Sequence, residues 1–76
     1  MKLTRVNEIL FARQITHTAM GRLISRRFGR PCSRQQVSMV ARGQRYTPWL
    51  QDAIAAILDM EGPELFGGWW YEGRER

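Results

Sequence analysis

Residues 33–43 have the sequence SRQQVSMVARG, which contains the start and stop signals of a short helix. Ser33 and Gln36 have the spacing of a capping box, in which the Ser hydroxyl accepts a backbone N–H and the Gln side chain bonds back to the Ser backbone. Gly43 is the residue type that most readily takes the left-handed conformation after a helix. The pattern predicts a helix that begins at Arg34 and continues for about two and a half turns.

This predicted helix has an apolar side and a polar side. At about 100° per residue, its aliphatic side chains share one side. They are Val37, Val40 and Ala41. The opposite side consists of Gln35, Ser38, Met39 and Arg42. The first side can be buried in a core, and the second can contact a partner.

Length and cysteine content limit the class of protein. A chain of 76 residues forms one domain at most, and a domain of this size has a marginal stability that oligomerisation can increase. Cys32 is the single cysteine, so a monomer forms no internal disulfide, which is the usage expected in a reducing compartment. No apolar run has the length of a signal peptide or of a membrane-spanning helix. We expect a cytoplasmic protein.

The basic residues are concentrated in the first part of the chain. Residues 1–45 contain ten Lys and Arg residues against Glu8 alone, a net charge of +9. Residues 46–76 contain two Arg against six Asp and Glu residues, a net charge of −4. A cationic surface of this strength repels itself unless a polyanion binds it. Because phosphate contacts provide most of the affinity for nucleic acid, the charge pattern favours such a partner over a merely solvated surface.

The residues before this segment also show helical periodicity. They do not show the alternation of apolar and polar residues that is typical of strands. A first helix is predicted over about Arg5–Gln14, with Thr4 as its cap. A second helix is predicted from Thr16 or Thr18 to residue 28, where Gly29 ends it. Its expected apolar face consists of Met20, Leu23, Ile24 and Phe28.

Two further helical segments follow. Thr47-Pro48 predicts a capped helix with proline at its first position, ending near Asp59. Residues 62–66 fit one more turn, again with an early proline. The chain is therefore divided into a helical domain, residues 1–67, and an aromatic and charged tail, residues 68–76.

The second and third predicted helices form a helix-turn-helix, in which the second helix of the pair enters the DNA major groove. Residues 29–33 form the turn, which is longer than the three or four residues usual for this motif. Pro31 stiffens it, and Arg30 within it can contact a phosphate.

These segments resemble the lambda-repressor-like group of DNA-binding domains, of the Cro/repressor or XRE type. Residues 33–43 are similar to that family's recognition helix: Ser, three variable residues, an aliphatic, Ser, a variable residue, an aliphatic and a closing Gly. Residues 53–58 and the PELFG sequence of residues 63–67 are similar to its fourth helix and terminal turn. The resemblance covers about residues 4–67 and is strongest to small regulators of phages and mobile elements.

The resemblance implies particular contacts with DNA. Bases are contacted by Arg34, Gln35 and Met39. Phosphates lie near Ser33, Arg42 and Arg45. The chain departs from the family at the start of the second helix, where Thr18 stands in place of a Gln that hydrogen-bonds the DNA backbone.

Side-chain chemistry agrees with base recognition, because Gln pairs with adenine and Arg with guanine through two hydrogen bonds each. Gln36 has two interpretations, base contact or capping partner, and so has Met39, contact with a thymine methyl or burial in the core. Each arginine outside the core either binds a phosphate or is solvated. The candidate DNA-binding residues are Thr18, Arg22, Arg30, Ser33, Arg34, Gln35, Gln36, Ser38, Met39, Arg42 and Arg45.

No enzyme site, metal site or cofactor is expected. His17 and Cys32 each lack a second catalytic or metal-binding residue at a suitable spacing. We interpret His17 as a surface or interhelix residue rather than a pH sensor. We interpret Cys32 as a packing residue of the turn rather than a redox switch.

The aromatic run at residues 69–71 has an open role. Three adjacent aromatic side chains cannot all face one core, so one or two fold back on the domain or the run forms a surface between two copies. Aromatic residues concentrate at the energetic centres of interfaces. The candidate dimerisation residues are therefore Trp69, Trp70 and Tyr71.

The sequence as a whole predicts an all-α domain of five helices that binds double-stranded DNA sequence-specifically. We expect a repressor-type transcription regulator that acts as a homodimer. Two alternatives remain. One is a protein-interaction adaptor of antitoxin-like kind that uses the aromatic run and the acidic part of the chain. The other is an architectural or excision factor that bends DNA.

Overall fold

Six helical segments follow one another in a computed structural model, which describes residues 3–71. They are α1 (Val6–Ala12), α2 (His17–Phe28), α3 (Arg34–Ala41), α4 (Pro48–Leu58), α5 (Gly62–Phe66) and a short 3-10 helix (Gly67–Trp70). Residues 3–71 contain no strand. The predicted all-α architecture with five α-helices is confirmed.

The core lies between the helices and contains side chains from all of them. Helix α2 packs against α3 and α4, while α5 packs against α4 and the 3-10 helix. The radius of gyration is 11.2 Å, and a compact chain of this length is expected to have about 11 Å. The buried apolar residues are Val6, Leu10, Met20, Ile24, Val37, Val40, Ala41, Leu50, Ala53, Ile54, Ala55, Leu58, Leu65, Phe66 and Trp69.

Both predicted ends of α3 are confirmed. The Ser33 hydroxyl accepts from the backbone N–H of Gln36 at 3.2 Å, and the Gln36 side-chain oxygen accepts from the N–H of Ser33 at 2.9 Å. Gly43 follows the helix with φ of 72°. The N–H of Gln44 then donates to the carbonyl of Met39 at 2.9 Å, which is a Schellman ending. Local hydrogen bonds therefore hold α3 at both ends.

The starts of α2 and α4 differ. Thr16 is the cap of α2, and its hydroxyl accepts from the N–H of Ala19 at 3.0 Å. Gly29 ends α2 with φ of 67°, as predicted. Thr47 is the N-cap of α4 and Pro48 follows it, as predicted, although the Thr47 side chain makes no cap hydrogen bond. Its ψ of 94°, against 162° at Thr16, orients the hydroxyl differently. Asp59 ends α4 in the left-handed region, with φ of 55°.

Helix α1 is shorter than the predicted Arg5–Gln14 at both ends. Gln14 takes a positive φ of 57°, which turns the chain after α1. The hydroxyl of Thr4 accepts from the N–H of Val6 at 3.4 Å and donates to the carbonyl of Ala41. Thr4 therefore joins the start of α1 to the end of α3.

Half of the predicted apolar face of α2 is exposed. Met20 and Ile24 are fully buried, but Leu23 is 38% exposed and Phe28 is 41% exposed. The buried arc extends from Met20 through Ile24 to Gly21, and Leu23 lies about 60° outside it at 100° per residue. Phe28 shares the arc but is the last residue of the helix, where its side chain leaves the core. The prediction is wrong for Leu23 and Phe28.

Gly21 determines how closely α2 approaches the turn before α3. A Cβ atom at Gly21 would lie 2.8 Å from the carbonyl oxygen of Cys32, closer than real Cβ contacts. The N–H of Cys32 also donates to the hydroxyl of Ser25 at 3.0 Å. Two residues one turn apart on α2 therefore hold the long turn, residues 29–33, against the helix.

The aromatic run packs largely on the helical domain. Trp69 is 6% exposed, and its ring meets that of Phe66 edge-on at 5.9 Å. The Trp70 ring stacks on Phe66 at 6.0 Å and lies where a Cβ of Gly62 would stand. Tyr71 is 50% exposed. The predicted division after residue 67 thus falls within one packed unit, and residues 1–2 and 72–76 lie outside the described residues.

Candidate nucleic-acid interface

Helix α3 has the two sides that its sequence predicts. Val37 and Val40 are fully buried, and Ala41 is 2% exposed. On the opposite side, Arg34, Gln35 and Arg42 are exposed, and Ser38 and Met39 are half-buried. The buried side anchors α3 in the core, so the polar side is presented on a helix that cannot rotate without exposing valine.

A cavity of about 310 Å³ lies between the start of α2 and the polar side of α3. Four predicted DNA-binding residues line it, together with a histidine. The lining residues are His17, Arg34, Gln35, Ser38 and Arg42. The structure therefore groups two guanidinium groups, an amide, a hydroxyl and an imidazole at one place.

His17 lies between helices, as interpreted from the sequence, but its place in this cavity was not predicted. The residue is half-buried at the first position of α2, and its Nε2 lies 2.7 Å from Oδ1 of Asn7 on α1. Burial lowers the pKa of the His17 imidazole, and the positive charges of Arg42 and Arg34 lower it further. Nothing in the local sequence indicates this environment, because α1 and α3 provide it.

The structure distinguishes the two interpretations of Gln36. Its side-chain oxygen is used in the capping box of α3, which makes it a structural residue of the helix start. Ser33 is exposed, and its hydroxyl is used in the same box. Met39 is half-buried, so its burial does not distinguish contact with a thymine methyl from packing in the core. Of the two glutamines of α3, Gln35 is therefore the better candidate for base contact, because it is exposed and lines the cavity.

Four other candidate residues are not among the residues that line this cavity. Thr18 and Arg22 are exposed on α2, and Arg45 is exposed after α3. Arg30 in the turn has its guanidinium carbon 4.0 Å from the centroid of the Trp49 ring on α4. This cation–π contact fixes the side chain of Arg30 and attaches the turn to α4.

Two other arginines of the basic segment contact the end of α4. Nη1 of Arg13 donates to the carbonyl of Leu58 at 2.7 Å, and Nη1 of Arg27 donates to the carbonyl of Ala56 at 3.5 Å. The last carbonyls of a helix lack intrahelical donors and carry a partial negative charge. These cations therefore stabilise the fold, a role that sequence analysis missed because the partners are far apart in the chain.

The structure of residues 3–71 also bears on a metal site, a reactive thiol and a membrane-spanning helix. Residues 3–71 contain no group of three or more His, Cys, Asp or Glu side chains that could hold a metal ion. The thiol of Cys32 is half-buried, and this burial raises its pKa. Across the same residues, every helix is too short or too polar to cross a membrane.

No protein-family model, no curated protein and no solved structure matches the chain. The geometry around α3 is therefore the principal basis for assigning a function.

Proposed function

We propose that this protein is a sequence-specific double-stranded DNA-binding regulator of repressor type, with a lambda-repressor-like helix-turn-helix formed by α2 and α3. The observation that supports it is the polar side of α3, which presents Gln35 on a helix held by caps at both ends. A helix of this width fits the major groove, and a rigid helix positions its amide groups for adenine.

The charges around α3 support a phosphate-bearing partner. Arg34 and Arg42 lie on α3, and the exposed side chains of Arg22 and Arg45 lie on its flanks in the chain. Cations beside a helix that enters the groove contact the DNA backbone and fix the register of that helix. In this proposal the arginines provide affinity, and Gln35 provides discrimination between sequences.

A homodimer completes the proposal, because two copies of a small reader bind two half-sites with greater affinity than one. Of the candidate dimerisation residues, Trp69 belongs to the core of the monomer. Trp70 is half-buried and stacks on Phe66, and Tyr71 is half exposed, so Tyr71 presents the larger exposed fraction to a second copy.

The proposal is tested by selecting bound sequences from random duplex DNA with the full-length protein, followed by fluorescence anisotropy on the selected duplex. We expect one enriched sequence and an affinity that falls steeply as salt rises, because bound cations are released from DNA. Recovery of no enriched sequence, together with equal affinity for selected and random duplexes, would contradict sequence-specific binding. Bending of the bound duplex by the protein, without enrichment of any sequence, would favour the architectural alternative.

A protein-interaction module is the second candidate, and one observation favours it. Phe11 on α1 is 88% exposed beside an apolar cavity of about 590 Å³. Its lining includes Leu10 and Ile15. Exposed apolar surface of this kind is common where proteins associate. Association through it responds weakly to salt, so the salt series distinguishes the two functions.

A further inference from the structure

The cavity between α2 and α3 has the composition of an oxyanion site. Arg34 and Arg42 contribute guanidinium groups, and Ser38 contributes a hydroxyl. No carboxylate is among the described residues that line it. Phosphate oxygens accept hydrogen bonds from all of these groups, and the two cations make an anion the favoured occupant.

His17 is held at the edge of this cavity by a contact from another helix. With Oδ1 of Asn7 as acceptor at 2.7 Å, the Nε2 of His17 acts as the donor. The neutral ring then has its free lone pair on Nδ1, so any additional proton must bind at Nδ1. A protonated His17 has donors on both nitrogens and a positive charge.

The surroundings of His17 disfavour this protonated form. The groups near His17 are Asn7 on α1, which is neutral, and Arg34 and Arg42 on α3, which are positive. Together with burial, these arginines hold the pKa of His17 below its ordinary value of 6.5. These surroundings favour the neutral form of His17, and the lining residues include no carboxylate to offset the two positive charges.

We propose that this cavity binds a backbone phosphate of duplex DNA and that His17 takes up a proton from solvent when the phosphate binds. The proposal rests on the DNA-binding function proposed above, and it adds a phosphate position and a pH dependence to that function. A phosphate neutralises the field of Arg34 and Arg42, so the cationic form of His17 becomes favourable in the complex.

The direction of the pH effect follows from this proton uptake. Affinity depends on pH wherever the complex holds more protons than the free protein does, which is the interval between the pKa of free His17 and its higher pKa in the complex. Affinity for DNA rises as pH falls through this interval. One proton gives at most a tenfold rise per pH unit.

The chain offers a direct measurement, because His17 is its single histidine. Its imidazole C–H resonance is followed by NMR in the full-length protein between about pH 5 and pH 8, where imidazole titrates. The titration is made with the protein alone, with the selected duplex, and with sodium sulfate against sodium chloride at equal ionic strength. Sulfate serves as a phosphate-like oxyanion whose charge stays constant over this range.

We expect the duplex to raise the pKa of His17. A similar rise with sulfate and not with chloride would show that the cavity takes a free oxyanion, whereas a rise with the duplex alone would show that DNA must deliver the phosphate. An unchanged pKa in the duplex complex overturns the proposal. Failure of the proposed function is a different result, since it appears as equal affinity for selected and random duplexes or as no binding of either, and it does not depend on the pKa of His17.

Variants locate the effect. Arg42→Gln removes one positive neighbour, so it should raise the pKa of His17 in the free protein and reduce the further rise caused by DNA. Arg27→Gln is the matched control, because Arg27 contacts the end of α4 and is not in the cavity lining. It should leave both values unchanged.

His17→Gln tests the same coupling through affinity. The variant should bind the duplex with a dissociation constant that no longer depends on pH in the interval where the parent protein changes. Retention of the parent's pH dependence by a variant with unchanged circular dichroism would place the titrating group elsewhere and overturn the role of His17.

Discussion

Two adjacent glutamines of α3 have the same side chain and different surroundings. The side-chain oxygen of Gln36 accepts from the N–H of Ser33 and belongs to the capping box. Gln35 is exposed and lies at the cavity between α2 and α3. A comparison of the two positions therefore separates recognition of DNA from stability of the helix, with the chemistry of the side chain held constant.

We expect Gln35→Ala to weaken binding to the selected duplex by about 1–3 kcal/mol and to leave binding to random duplex nearly unchanged. Gln36→Ala should lower the free energy of unfolding by about 0.5–1 kcal/mol, since it removes one hydrogen bond of the cap. Anisotropy at one salt concentration and urea denaturation measure these effects. Equal weakening on both duplexes by Gln35→Ala would assign that residue to phosphate contact and refute base recognition by it.

At the residue scale, the sequence predicts hydrogen bonds between residues that are close together in the chain. The cap of α3 closes between Ser33 and Gln36, so its spacing is visible in the chain. The carbonyl partners of Arg13 and Arg27 are 45 and 29 residues away. No sequence periodicity predicts such distant pairs. From the sequence, Arg13 and Arg27 could be interpreted only as part of the net positive charge. His17 is similar, because Asn7 and two residues of α3 define its environment.

At the scale of helices, the contact between α2 and the following turn sets the position of α3. Gly21 faces the carbonyl of Cys32, and Ser25 accepts from the N–H of the same residue. Arg30 attaches the other side of the turn to Trp49 on α4. A five-residue turn would otherwise leave α3 free to move relative to α2, and these contacts remove that freedom.

Gly21→Ala tests this contact by the sign of its effect. In a helix interior free of close contacts, Gly to Ala stabilises by about 1 kcal/mol. Here the new Cβ would lie 2.8 Å from a backbone oxygen, and overpacking of this kind costs about 1–3 kcal/mol. We expect a lower midpoint of urea denaturation and weaker DNA binding.

Gly68→Ala is the control for this substitution. A Cβ at Gly68 meets no atom within 4 Å, and its φ is not in the left-handed region. We expect an unchanged or slightly higher stability for this variant. A Gly21→Ala protein more stable than the parent would show that the turn does not press against α2.

The helices themselves were largely predictable, and the orientation of α2 was not. Helix bounds depend on Thr16, Ser33 and three left-handed endings, which are local signals. The buried face of α2 depends on which neighbour approaches it, and the apolar periodicity of the sequence does not show that a glycine belongs to that face. The structure places Gly21 in the buried arc and leaves Leu23 outside it.

At the scale of the whole molecule, three arginines from the basic part of the chain pack against a helix from its acidic part. Arg13, Arg27 and Arg30 all contact α4, which belongs to the acidic part of the chain. No contact described above joins Arg34 or Arg42 to α4. The two arginines of α3 therefore remain at its polar side, where a duplex would bind in the proposed function.

The aromatic run divides between the core and the surface, and this division gives the last prediction. Trp69 is 6% exposed, whereas Tyr71 is 50% exposed. Trp69→Ala should lower the free energy of unfolding by about 3–5 kcal/mol, a large part of the total of about 5–15 kcal/mol for a domain. Tyr71→Ala should change it by less than about 0.5 kcal/mol and reduce self-association. Urea denaturation and sedimentation equilibrium measure the two effects.

The same pair of variants tests where two copies meet. A 76-residue domain has few large side chains, so removal of Trp69 impairs folding before any interface is affected. Loss of association in Tyr71→Ala with full helicity would assign the dimer surface to the end of the 3-10 helix. If Tyr71→Ala instead associates like the parent, that surface is excluded, and Phe11, 88% exposed on α1, becomes the aromatic residue to substitute next. A parent chain that sediments as a monomer, alone and on the selected duplex, would contradict the homodimer itself.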